Sequence, residues 1–285
     1  MIQTSRADWR TPTAVLICGG LILSLGFGLR HGFGLFLQPM SSELRWGRET
    51  FAFAMAVQNL VWGASQPFAG MIADQYGSGR VAAGGAVLYV LGLVLMAYPV
   101  AQWSFVLATG VLIGLGLSGV SFSVILGVIG RRYSPEKRSL ALGLGAAAGS
   151  FGQFAMLPLT QWLLTQLGWR GALLAMAAVG LAMIPLALGV VERQAAHSAG
   201  VRQQSAIEAF REAIAHRGYV LLTVGFFVCG FQVVFVGVHL PAYLADRGFA
   251  PHVAVISLAL VGLFNIFGTY LAGWLGGRMP KRWIL

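Results

Sequence analysis

The chain has 285 residues, of which 57% are hydrophobic and only 10% charged, with a formal net charge of +10 and a mean hydropathy of +0.76. Soluble domains carry about 25% charged residues, so the composition excludes a soluble globular domain and marks an integral membrane protein. Strand alternation is absent, which argues against a barrel and for an all-α polytopic bundle.

The first apolar run, 13–37, follows Arg6 and Arg10 as a signal peptide would. It continues for about 25 residues to Pro39 with no small-residue cleavage site, so it is read as a retained span. Within it lie Arg30 and His31. A charge at mid-bilayer costs at least about 2.5 to 3.5 kcal/mol, so such residues face a cavity or a partner. Two readings of Arg30 stand side by side. Its fork suits bidentate contact with a substrate carboxylate, or it reaches the outer surface to pair with Glu43 or Asp246. His31 is a candidate for the same cavity or a packing residue.

The second span, 51–73, carries Gln58, Asn59 and Gln66, which read as interhelical hydrogen-bonding groups. It ends in Gly70-Met71-Ile72-Ala73-Asp74-Gln75-Tyr76-Gly77-Ser78-Gly79-Arg80, where turn glycines and charge between two apolar runs require a tight loop at the bilayer surface. The third and fourth spans fall at 81–100 and 103–129, the fifth and sixth at 139–163 and 170–190. Gly110-x-x-x-Gly114 and Gly145-x-x-x-Gly149 place small residues on one helix face for close packing.

A polar stretch, 191–217, follows these six spans. Its apolar residues at 206, 207, 210, 213 and 214 predict a short amphipathic helix lying on the inner leaflet. The seventh span, 218–244, holds Gln232 and His239 as candidate cavity residues, and the eighth, 252–276, holds Asn265. The sequence stops at Lys281-Arg282-Trp283-Ile284-Leu285, which reads as the opening of a ninth span and as a cut chain. The domain reading is a six-helix half over 1–190, a cytoplasmic linker over 191–217, and the first two helices of a second half over 218–285.

With the N-terminus in the cytoplasm, fourteen of the nineteen Lys and Arg residues fall on the inner side and four on the outer. This positive-inside asymmetry accounts for the basicity without nucleic acid. Cys18 and Cys229 both lie in spans, and neither forms a metal or redox motif.

Gly70, Asp74, Gly77 and Arg80 stand at the positions of Gly-x-x-x-Asp-x-x-Gly-x-x-Arg/Lys, and the segment resembles the signature loop of the major facilitator superfamily between its second and third helices. A degraded second copy begins at Gly273 and runs through Arg278 after the eighth span, with Gly277 where the acid would stand. Arg131-Arg132-Tyr133-Ser134-Pro135-Glu136-Lys137-Arg138 leading into the fifth span, with Gly168-Trp169-Arg170 before the sixth, resembles the monocarboxylate transporter and oxalate:formate antiporter branch.

That resemblance implies twelve helices, of which eight are present, with helices one, four, seven and ten around a central cavity. It implies that Asp74 and Arg80 belong to a conformational switch, the carboxylate acting on nearby basic residues and on the N-terminus of an eleventh helix that this chain lacks. The branch has a functional lysine near Arg30 and His31. Where its mammalian members carry an aspartate and an arginine in the eighth span, Asn265 and Thr269 stand here. The implied activity is secondary active transport of a small organic anion by alternating access, with a coupling ion; the short loops, with no glycosylation-like extracellular domain, favour a bacterial inner membrane. No enzyme activity, cofactor, metal or nucleic-acid partner is expected. The alternatives are a non-transporting fragment that needs the missing C-terminal helices, or a carrier of drugs or neutral metabolites.

Overall fold

The computed structural model describes residues 11–192 and 206–280, which are helical throughout apart from short turns, with no strand among them. The first helix, α1 (Pro12–His31), is capped by Thr11, whose side chain accepts from the Ala14 amide, and has proline at its first position, where a missing N–H costs nothing. A 3-10 turn, Gly32–Phe36, carries it into α2 (Leu37–Leu44). After α3 (Arg48–Tyr76) comes α4 (Ser78–Ala97). The next rod is assembled from α5 (Gln102–Val106), a π-helical turn over Leu107–Leu112, α6 (Ile113–Gly119) and α7 (Phe122–Arg132).

The segment α8 (Pro135–Gly180) continues through α9 (Met183–Ala187) to Val190, 56 residues in all. As a straight helix it would be about 84 Å long, nearly three times the hydrocarbon core of about 30 Å. Gly168, with φ 66° and ψ 175°, breaks it. Trp169 and Arg170 bond Glu43 at one end of the bundle, while Glu192 joins Arg131 and Asp74 at the other. The chain therefore crosses before Gly168 and returns after it, as the separate fifth and sixth spans predicted. The helices α10 (Ala206–Ala215), α11 (Arg217–Asp246) and α12 (Pro251–Gly276) complete the described chain. The short helix expected after the sixth span is α10; residues 193–205 of that stretch, and Lys281 and Arg282 of the second loop copy, lie outside the described residues.

Six helical segments are long and apolar enough to cross a membrane. Divided at Gly168, they account for seven of the eight predicted spans. The remaining predicted span, the second, is α3, which has 29 residues but is not among the six, because Gln58, Asn59 and Gln66 dilute its apolar character.

The main core lies among α1, α3, α4, α7 and both arms of α8, with Phe27, Leu29, Phe33, Tyr89, Leu117 and Ile125 fully or nearly fully buried. A smaller cluster of Leu35, Leu157, Val255, Leu258 and Ala259 joins α8 to α12. Toward the other end of the same helix pair the backbones approach closely: a β-carbon on Gly143 would lie 2.7 Å from the Gly273 α-carbon. By contrast, α11 is exposed over residues 217–233 and packs only from Val234 onward, against the Gly32–Phe36 turn, α2 and α12.

Candidate functional site

The interior charge, Arg30, is partly buried near the end of α1 and reaches sideways to α3. Its Nε donates to Gln58 Oε1 at 3.1 Å and its Nη2 to Asn59 Oδ1 at 2.6 Å. The guanidinium carbon lies 5.0 Å from the centre of the Trp62 ring, in cation–π range. The two amides are themselves fixed: Gln58 Nε2 donates to the Thr109 carbonyl and Asn59 Nδ2 to the Met55 carbonyl, each at 2.7 Å. Their orientation is unambiguous, since an arginine offers donors only and a backbone carbonyl accepts only. Thr109 sits in the π-helical turn of the fourth rod, so the cluster ties together three of the predicted spans.

No carboxylate among the described residues pairs with Arg30. The acids proposed as surface partners are engaged elsewhere. Glu43 accepts from Trp169 Nε1 at 2.6 Å and meets Arg170 at 3.4 Å, and Asp246 is held by Arg48. The reading of Arg30 as an arginine reaching out to either acid is therefore corrected. What replaces it is a cation surrounded by neutral carbonyls and an aromatic face.

Successive residues on a helix point about 100° apart, and His31 accordingly turns away from Arg30. It is buried beside the Leu258 backbone of α12, and its Nε2 has no hydrogen-bond partner. The two residues that shared one expectation thus serve different neighbours, α3 for Arg30 and α12 for His31. The other candidates do not join them. Gln232 and His239 lie one above the other on α11, both exposed, with His239 against the Phe235 ring at 5.1 Å. Asn265 is exposed on α12, and its carbonyl accepts from the Thr269 hydroxyl. A cavity of about 340 Å³, lined by Gln38, Glu43, Gln161, Trp169 and Pro241 among others, lies at the Asp246 end and does not include Arg30.

At the opposite end, Asp74 is in the last turn of α3, and Gly77, at φ 93°, makes the corner into α4. A positive φ there is a conformation that side chains other than glycine rarely adopt. Asp74 meets Arg131 Nη1 at 3.3 Å. Arg131 also donates to both Glu192 oxygens, at 3.1 and 2.8 Å, and to Ser78 Oγ at 3.3 Å. This network closes the ends of the second, fourth and sixth rods. Arg80 is outside it, exposed and bonded to the Tyr76 carbonyl at 3.3 Å. Gly70 faces open space. In the second copy, the Gly273 carbonyl accepts from Ser139 Oγ at 2.9 Å and Arg278 stacks over Trp274 at 3.8 Å.

The sequence reading did not assign Gln58, Asn59, Trp62, Arg131 or Glu192 to either site. Gln58 and Asn59 were legible as unusual amides in an apolar helix. Nothing local marks Arg131 as the partner of a residue 57 positions away.

The family profile described as Major Facilitator Superfamily matches residues 16–285. Among curated proteins, monocarboxylate transporter 13 of Rattus norvegicus is 26% identical over 257 residues, covering 90% of this chain and 59% of its own. Monocarboxylate transporter 11 of Mus musculus is 27% identical over 273 residues, covering 95% and 59%. This chain thus spans about 59% of the length of these relatives. Among solved structures, the xylose transporter XylE from E. coli, in a partially occluded inward open conformation, aligns with a TM-score of 0.61 at 18% identity, covering 90% of this chain and 70% of that one.

Proposed function

The chain belongs to the major facilitator superfamily, a family of membrane transporters and not of enzymes, and from that premise we propose that it carries the anion-binding part of a secondary transporter for small carboxylates. The carrying observation is Arg30: a guanidinium inside the bundle, held by two neutral carbonyls and matched by no carboxylate among the described residues. An uncompensated interior charge is costly, and a substrate carboxylate is the partner its geometry suits.

Alternating access is the mechanism this reading adopts. Residues 1–190 would form one half, 191–217 the cytoplasmic linker and 218–285 the beginning of the other half, with the N-terminus cytoplasmic in an inner membrane. The Asp74–Arg131–Glu192 network would hold the inner ends of the first half, with Gly70, Gly77, Arg80, Gly273 and Arg278 as the remaining switch residues. His31, Gln232, His239 and Asn265 would face the substrate path from α1, α11 and α12 as the halves rock.

Calorimetric titration of the chain in lipid nanodiscs with pyruvate, and with its uncharged amide, tests the reading. Pyruvate should bind and the amide should not, and Arg30→Gln should weaken pyruvate at least about tenfold. Equal pyruvate binding by Arg30→Gln would overturn it.

A further inference from the structure

Arg30 has five N–H donors, and the protein occupies them selectively. Gln58 takes Nε and Asn59 takes one proton of Nη2, which together make up the side of the fork. Among the described residues no hydrogen bond is made by Nη1 or by the second proton of Nη2, and these form the end of the fork. The amides cannot swing away cheaply, because each spends its own NH2 on a backbone carbonyl, Thr109 for Gln58 and Met55 for Asn59. Gln58 is completely buried. Trp62 lies against the guanidinium face and limits its rotation.

Two amides here have a consequence that two acids would not. Glutamate or aspartate at these positions would place a fixed anion on Arg30 at hydrogen-bond distance and complete the pair without a substrate. Neutral carbonyls orient the guanidinium and leave its charge in place. We infer that Gln58 and Asn59 are positioning residues, which lock Arg30 with the end of its fork available and its charge unneutralised for an incoming anion. This rests on the proposed reading of Arg30 as the anion contact.

The test compares Asn59→Asp with Arg30→Gln and with the neutral variant Asn59→Leu in nanodiscs at neutral pH, using pyruvate as the probe. Gln58→Glu is the second variant, and helical circular dichroism with monodisperse elution establishes folding for each. The other titratable groups beside the cluster are His31, directed to the Leu258 backbone, and Tyr89, whose hydroxyl donates to the Gly26 carbonyl. Both are unchanged in every variant, so the wild type serves as their control.

The expected result is that Asn59→Asp or Gln58→Glu weakens pyruvate at least about tenfold, and that Asn59→Leu, which removes the same hydrogen bonds without adding a charge, loses severalfold less. A purely structural role for the amides would make the neutral variant at least as weak as the charged one. If Arg30→Gln loses pyruvate while folded Asn59→Asp and Gln58→Glu bind it as the wild type does, the positioning role is overturned and the reading of Arg30 stands. If Arg30→Gln itself binds normally, both fall.

Discussion

Arg48 at the start of α3 and Asp246 at the end of α11 form a two-bond ion pair, with Nη1 and Nη2 donating to the two carboxylate oxygens at 2.6 and 2.7 Å. It joins the start of α3 to the end of α11, at the end of the bundle where α11 also crosses the Gly32–Phe36 turn. Both side chains are about half exposed, so salt weakens the pair. Asp246→Asn should open the neighbouring cleft. The check is the alkylation rate of a cysteine placed at Gln38, in a background with Cys18 and Cys229 replaced by serine. The rate should rise severalfold in the variant, and the wild-type rate should rise with ionic strength.

Gly143 and Gly273 are too close to accept side chains. A β-carbon on Gly273 would lie 2.6 Å from the Gly143 α-carbon, and the obstacle is backbone. Gly273→Val should destabilise the α8–α12 contact by roughly 1 to 3 kcal/mol, the usual cost of overpacking. Thermal unfolding in detergent measures this, with Gly70→Ala as an uncrowded control that should not lower the midpoint, because nothing lies within 4 Å of its β-position and alanine suits a helix better than glycine.

The turn at Gly168 separates conformation from crowding. No atom lies within 4 Å of a β-carbon there, yet φ is 66° and ψ 175°, a region used almost only by glycine. Gly168→Ala should cost about 1 to 3 kcal/mol through backbone strain alone, read as a lower unfolding midpoint in a denaturant titration.

The Arg131 partners are unequal. Glu192 receives two bonds and is 19% exposed, while Asp74 receives one at 3.3 Å and is 69% exposed. Glu192→Gln should therefore loosen the helix ends more than Asp74→Asn, by roughly 1 kcal/mol. Hydrogen exchange of the amides at 128–134 reports the difference, and equal protection in the two variants would contradict it.

Much of this architecture was legible because hydropathy and turn residues act locally. Apolar length placed the rods, Gly77 marked a corner that only glycine fits easily, and the pattern around residue 210 announced α10. Arg30 stood out because a charge in an apolar run has a physical cost wherever it points. Its partners were less accessible. Gln58 and Asn59 lie 28 and 29 positions away, and which of several amides meets the guanidinium depends on how α1 and α3 rotate against each other. The same holds for Asp74, Arg131 and Glu192, three ordinary surface charges until the ends of three helices bring them together. The π-helical turn beneath Thr109 had no signature in Leu107-Ala108-Thr109-Gly110-Val111-Leu112 at all.

The one-sided packing of α11 makes it a lever. Gly237 crosses Gly34 with backbone in direct contact, and the arm from that crossing to Arg217 is twenty residues, about 30 Å at the rise of an α-helix. A tilt of about 10° at the crossing carries the far end of such an arm about 5 Å. Angular changes too small to disturb the packing around Val238 and Ala242 would thus be magnified into a displacement of several ångströms at Arg217.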